Sequence, residues 1–244
     1  LDRTGIRKRF TQARKAESQY NRNLRMLARQ VGQLIKGLNP DGSYSNSQQI
    51  VQVLQNYAEM ISPWATSVAR MMLADVARRD ESAWMEHSRY LGKAMRNEIL
   101  QAPTGQALRE LMAQQVHLIT SLPLEAANRV HELATGAIYT GDRPAKLVEE
   151  ILLTGNVTEG RARLIARTET SRAASNLLEA RARYVGSDGY IWRTSDDGDV
   201  RPSHKRMEGK FVSWGDPPTL DHMKGHAGCL PNCRCWAEPV LPDL

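Results

Sequence analysis

FTQARKAESQYNRNLRMLARQVGQLIKGL, residues 10–38, places Phe10, Ala13, Tyr20, Leu24, Leu27, Val31, Leu34 and Leu38 at alternating spacings of three and four. Glu17 is the one polar residue in the series. Side chains three and four apart share a helix face, so this spacing predicts a single long helix from about Thr4 to Leu38. One side is an apolar seam suited to a bundle or a coiled coil, and most of the arginines fall on the other. Asn39-Pro40-Asp41-Gly42-Ser43 supplies the breakers that end it.

The same stretch holds most of the protein's basic character. Between Leu1 and Lys36 stand ten basic residues against only Asp2 and Glu17, an excess of eight, while the whole chain carries a net charge of +6. The remainder is therefore slightly acidic. A dense cationic segment suits a phosphate backbone or an acidic protein surface. Arg7, Lys8, Arg9, Arg14, Lys15, Arg22, Arg25 and Arg29 are the candidate contacts to DNA or to such a partner. Were about six of them to reach phosphates, binding would weaken with salt at a log–log slope of about −5. No recognition-helix pattern and no row of stacking aromatics accompanies them, so contact with DNA would be independent of sequence. A solvated face of a bundle helix is the plainer account.

Outward from this helix, apolar periodicity continues for three quarters of the chain. A helix is expected from Ser47 to Ile61, with Ile50, Val53, Leu54 and Tyr57 in phase. Another starts at Ser62-Pro63 and runs towards Leu100, with a break expected near Arg79-Asp80-Glu81. Thr104 opens the next, which Ser121-Leu122-Pro123 should end. Further helices are expected through Ala127 to Ala137, through Leu147 to Leu152, and from a Thr158 cap to Tyr184. Apolar residues make up 41% of the chain and aromatics only 6%, which favours helices packed through aliphatic side chains over a β-sandwich. No apolar run approaches the roughly 18 residues of a membrane span, and the sequence from Leu1 shows no signal-peptide core. A soluble protein made in a cytoplasm is expected, with no membrane partner. His117 and His131, among apolar neighbours, read as packing residues.

After Val185 the texture changes to Gly, Pro, Asp, Trp and Cys, with extended pieces at Tyr190–Thr194 and Lys210–Trp214. The expected fold is mainly α: an elongated helical body with a small C-terminal α+β module of few short strands. The expected organisation is a helical region over 1–120 and a second region over 121–244, itself divided into helices to 184 and the tail 185–244.

The tail is the specific part. It offers, in order, Ile165-Ala166-Arg167-Thr168-Glu169, then Gly189-Tyr190-Ile191-Trp192. Asp199-Val200-Arg201-Pro202-Ser203-His204 follows, with Gly209-Lys210 shortly after, and Gly228-Cys229-Leu230-Pro231-Asn232-Cys233-Arg234-Cys235 closes the series. In this order and spacing the motifs resemble the phage Mu F-like minor head proteins, over roughly Ser121 to Pro239. The resemblance implies a non-enzymatic head-morphogenesis protein present in few copies per virion. Its expected partners are the portal protein, other head or scaffold proteins and packaged double-stranded DNA. Its expected place is the capsid interior near the portal vertex, after assembly in the host cytoplasm. Related modules also occur fused to toxin domains; with the sequence ending at Leu244, that version is not expected here.

Two constellations in the tail carry chemistry. Cys229, Cys233 and Cys235 lie within seven residues, and His204, His222 and His226 could fold beside them. Thiolates and imidazoles are the ligands tetrahedral zinc prefers, so Cys229, Cys233, Cys235 and His204 form a candidate zinc site. The C-x₃-C-x-C spacing is not that of a zinc knuckle, and a disulfide from Cys229 to Cys233 or Cys235, or three free thiols, fit the residues too. The second constellation gathers Asp197, Asp199, Arg201, Ser203 and His204. As chemistry it would be a nuclease or other phosphoryl-transfer centre, with His204 as acid or base, Arg201 on phosphate and Asp199 beside them. As structure it is a polar clasp of Arg167, Glu169 and Arg201 around Trp192, in which Arg167 and Glu169 tie their helix to the Arg201 loop. No nucleophile elbow or Gly-rich phosphate loop accompanies these residues, so the structural reading leads. Trp192 and Trp214 are read as the core of the tail.

Overall fold

The computed structural model describes residues 13–38, 46–87, 101–140 and 144–242. Five long helices account for most of them: α1 (Ala13–Leu38), α2 (Ser47–Met60), α3 (Ser62–His87), α4 (Thr104–Thr140) and α5 (Pro144–Tyr184). The tail adds β1 (Gly189–Arg193), a one-turn helix α6 (Pro202–Lys205), β2 (Phe211–Ser213), β3 (Thr219–Leu220), β4 (Met223–Lys224) and β5 (Trp236–Val240). The protein is mainly α with a small C-terminal sheet, as the periodicities predict. Among the described residues no helix is long and apolar enough to cross a membrane. Phe10, the basic residues Arg7, Lys8 and Arg9, and the Asn39–Ser43 turn lie outside the described residues.

Among the described residues the helices are fewer and longer than the sequence predicts. Ser121-Leu122-Pro123 does not end a helix, because α4 runs through Pro123. An interior proline removes one backbone hydrogen bond and costs about 3 kcal/mol. The surrounding apolar face offsets that cost, since Ile119, Leu122, Ala126 and Ala127 are all buried. The residue-120 boundary therefore falls inside a continuous helix. Nor does α3 break at Arg79–Glu81; Arg79 and Arg78 both bond back to Asp75 along the helix.

Thr158 starts no new helix either. It lies buried within α5, where its hydroxyl donates to the Thr154 carbonyl at 2.8 Å. Gly155, also inside α5, permits close packing. A Cβ there would stand 3.0 Å from the Gly32 Cα, so α1 and α5 approach backbone to backbone at this glycine pair. On α1 the buried face is Ala16, Tyr20, Leu24, Leu27, Ala28, Val31 and Ile35, whereas Leu34 and Leu38 are only partly buried. A straight helix at 3.6 residues per turn drifts from a strict heptad seam, which brings Ile35 into the core in place of Leu34.

The chain forms two compact units, each drawing on separate stretches. One comprises Gln19–Arg70 and Ala113–Ala166. Its core joins Val31, Ile35, Ile50, Leu54, Ala127, Val130, Leu147 and Ile151, and the Tyr20 hydroxyl donates to Gln115 within it at 2.9 Å. Arg25 bonds to Glu159 at 2.7 Å, and Arg29 stands 3.9 Å from the same carboxylate.

The other unit takes in the described parts of Leu1–Ser18, Met71–Met112 and Arg167–Leu244. Its core gathers Trp84, Leu178, Ala182, Tyr190, Trp192, Val212, Trp214, Leu230, Cys233, Cys235 and Ala237. Arg181 and Asp80, both almost fully buried, form an ion pair at 2.6 Å that ties α5 to α3. The sheet has the order β2-β1-β5, antiparallel throughout, with Tyr190 opposite Val212 on one side and Pro239 on the other. Sequence predicts β1 and β2 but not β5, whose Pro239 argues against a strand. As an edge strand β5 accommodates it, because a proline there gives up no ladder bond to an outer neighbour.

Candidate functional site

Strand alternation sends Tyr190 and Trp192 to one face of β1, and both are completely buried. The connection from β1 to β2, residues 194–210, folds back along the strand: Trp192 N–H donates to Lys210 O at 2.8 Å and Gly209 N–H to Trp192 O at 2.9 Å. It carries α6, which Pro202 initiates at a position where its missing N–H costs nothing. Through α6 His204 stands buried with its ring edge-on to Trp192, the centroids 5.6 Å apart.

The chain between β4 and β5 runs under α5, which holds it through residues spaced three and four apart. The Thr168 hydroxyl accepts from Asn232 N–H at 3.2 Å, Arg172 donates to Cys229 O at 3.0 Å, and Ser175 donates to Ala227 O at 2.8 Å. Arg172 is itself oriented by Glu169 at 2.8 Å. Gly228 sits directly beneath. Its φ is +84°, and a Cβ there would lie 2.4 Å from Ser175 Oγ.

The residues expected in the polar clasp have other partners. Arg167 pairs with Glu17 at 3.7 Å; Arg172, five residues on and so on another face of the helix, is the guanidinium that reaches the loop. Arg201 donates to Pro231 O at 3.3 Å and lies 3.5 Å from Asp221. Asp197 and Asp199 both bond Arg234, at 3.0 and 2.8 Å. Sequence reading missed Arg172 and Asp221, and also Arg193, which pairs with both Glu208 and Glu238. The periodicity of α5 was the available signal for Arg172, since it shares a face with Thr168 and Ser175.

The cysteines divide. Cys233 Sγ lies 3.4 Å and Cys235 Sγ 3.5 Å from His204 Nδ1, and the three ligand atoms all fall within 4.8 Å of one another. All three residues are buried. Cys229 turns elsewhere, its sulfur 3.8 Å from Asn176 Oδ1, and burial pushes its thiol up to about 12. None of the three cysteines is joined to another in a disulfide. The hydrogen bond from Cys235 draws Cys233 well below the usual thiol range, against its burial, and His204 adds to the effect. That bond, together with burial, pushes Cys235 up. On the far side of the imidazole, Nε2 is buried with no hydrogen-bond partner, and Asp221 Oδ2 lies 3.9 Å away. Asp221 and His222 form the β3–β4 turn, both with positive φ as a two-residue type I′ hairpin requires.

The other histidines stand apart from this group. His226 pairs through Nδ1 with the Tyr190 hydroxyl at 3.2 Å, and desolvation lowers its pKa. His222 is exposed in its turn, and His117 and His131 are exposed on α4, not packed as expected. The interrupted apolar pattern around them belongs to the opposite face of that helix.

A mainly helical protein whose last long helix clasps the loop that leads into a small antiparallel sheet, beside a buried His/Cys/Cys group, is the class these features define. Residues 128–238, which span the last third of α4, all of α5 and nearly all of the tail, match the family described as Phage Mu protein F like protein. An uncharacterized protein of Haemophilus influenzae is 33% identical over 133 residues, covering 54% of this chain and 29% of that protein. The match spans less than a third of that relative's length. No solved structure matches the chain.

Proposed function

We propose that the chain is a non-enzymatic minor head component of a bacteriophage, acting in head morphogenesis at the portal vertex. The observation that carries this reading is the Mu F-like match, which includes both the helix that makes the clasp and the loop it holds. The clasped tail is the docking unit, with portal protein or another head or scaffold protein as its partner. The basic face of α1 contacts packaged DNA or an acidic protein surface, while Arg25 is already engaged by Glu159. The protein assembles in the host cytoplasm and resides in the capsid interior.

Against a phosphoryl-transfer centre weigh the 2% exposure of His204, the turn of its Nδ1 towards two sulfurs, and the pairing of Asp199 with Arg234. Co-expression of the tagged chain with the portal protein of the same phage tests the role. Capture of portal protein is expected, and its loss when the segment from Arg167 onward is deleted. Failure of the intact chain to retain portal, or nuclease activity that disappears in His204→Ala, would contradict the proposal.

A further inference from the structure

The His204, Cys233 and Cys235 group is arranged as an ion's ligands would be. Zinc bonds of about 2.3 Å to sulfur and 2.0–2.1 Å to nitrogen, set at tetrahedral angles, place sulfur and nitrogen roughly 3.6 Å apart. The two observed separations are 3.4 and 3.5 Å. Two thiolates beside a neutral imidazole is a soft donor set that favours zinc over calcium or magnesium, which take oxygen.

The surroundings fit as well. A histidine bound to metal through one nitrogen turns its other N–H to a carboxylate, which fixes the tautomer and the ring. His204 Nε2 is otherwise unpartnered, and Asp221 Oδ2 stands 3.9 Å from it. Asp221 is held in turn by the Ser203 hydroxyl at 2.9 Å and by Arg201 at 3.5 Å. The ligands come from two separate parts of the chain: α6 supplies His204, and the stretch that leads from under α5 into β5 supplies Cys233 and Cys235. A module with few regular elements gains folding energy from such a junction.

We infer that His204 Nδ1, Cys233 Sγ and Cys235 Sγ bind one zinc ion, with water in the fourth position, Asp221 as the positioning residue behind the histidine, and Cys229 outside the site. The inference concerns the tail's own assembly and stands whether or not the protein acts in a phage head.

Elemental analysis and thiol counting on the purified full chain, followed by loading of metal-depleted protein with cobalt(II), test it. One zinc per chain is expected, with thiolate-to-cobalt charge-transfer absorption on reloading. Iodoacetamide should modify Cys233 and Cys235 only after a chelator is added. Cys229→Ser should keep its zinc, while Cys233→Ser and Cys235→Ser should lose it. Asp221→Asn, which retains a residue tolerant of positive φ, should weaken binding about 10–100-fold. Should the Cys233 or Cys235 variants fail to fold, chelator-dependent alkylation of the unaltered chain decides. Three reactive thiols with no cobalt uptake, alkylation indifferent to chelator, a Cys233–Cys235 disulfide, or loss of zinc in Cys229→Ser would each overturn the inference.

Discussion

Gly228 concentrates the chemistry of the tail in one residue. Its φ of +84° is one that side-chain-bearing residues adopt at a cost of roughly 1–3 kcal/mol, and the hydroxyl of Ser175 occupies the space a Cβ would need. Gly228→Ala should therefore lower stability by at least that amount, read from urea midpoints, and should loosen Cys229, Cys233 and Cys235 together. An alanine variant as stable as the parent would show that α5 does not hold the loop closely. At this scale much was legible. Trp192 and Trp214 were read as core from the tail's shortage of other apolar bulk, and both are buried. The identity of the clasping arginine was not legible, because it depends on which face of α5 meets the loop. Thr168, Arg172 and Ser175 lie on that face, whereas Arg167 is turned to Glu17.

At the scale of elements, local signals misplaced boundaries wherever burial overruled them. Pro123 and Gly155 are breakers by intrinsic preference, yet one sits in a helix with a buried flank and the other lets two helices touch. A single sequence records the preference and not the neighbour that outweighs it. The attachment of α1 to α5 within their shared unit has its own test. Hydrogen bonds from Arg163 and Arg25 lower the Glu159 pKa from its ordinary 4.5. A carboxyl lowered on folding contributes stability that is complete above its unfolded value and is lost as pH falls through its folded value. Glu159→Gln should be less stable than the parent at pH 7, by about 0.2–1 kcal/mol for so accessible a pair, and the gap should close towards pH 3. A gap of the same size at both pH values would contradict the ion-pair account. The strands show the same lesson: β1 and β2 were visible as apolar runs, while β5 was hidden by a proline that only an edge position excuses.

For the whole molecule, the charge asymmetry remains the feature most open to measurement. Arg22 and Arg29 are exposed on α1, whereas Arg25 is drawn into the bond with Glu159. If this face meets duplex DNA, replacing both exposed arginines by glutamine should make the log–log dependence of binding on salt shallower by about 2, since each phosphate contact contributes about 0.9. An unchanged slope would assign the face to protein or to solvent. The tail's part in the proposed role is separable from that outcome, because the Mu F-like match begins only at residue 128. Mass spectrometry of gradient-purified, DNA-filled heads from the phage that encodes the chain tests the role most directly. The protein should be present in fewer copies than portal protein and should stay bound through a high-salt wash. Heads that are infectious and contain none of it would contradict the account.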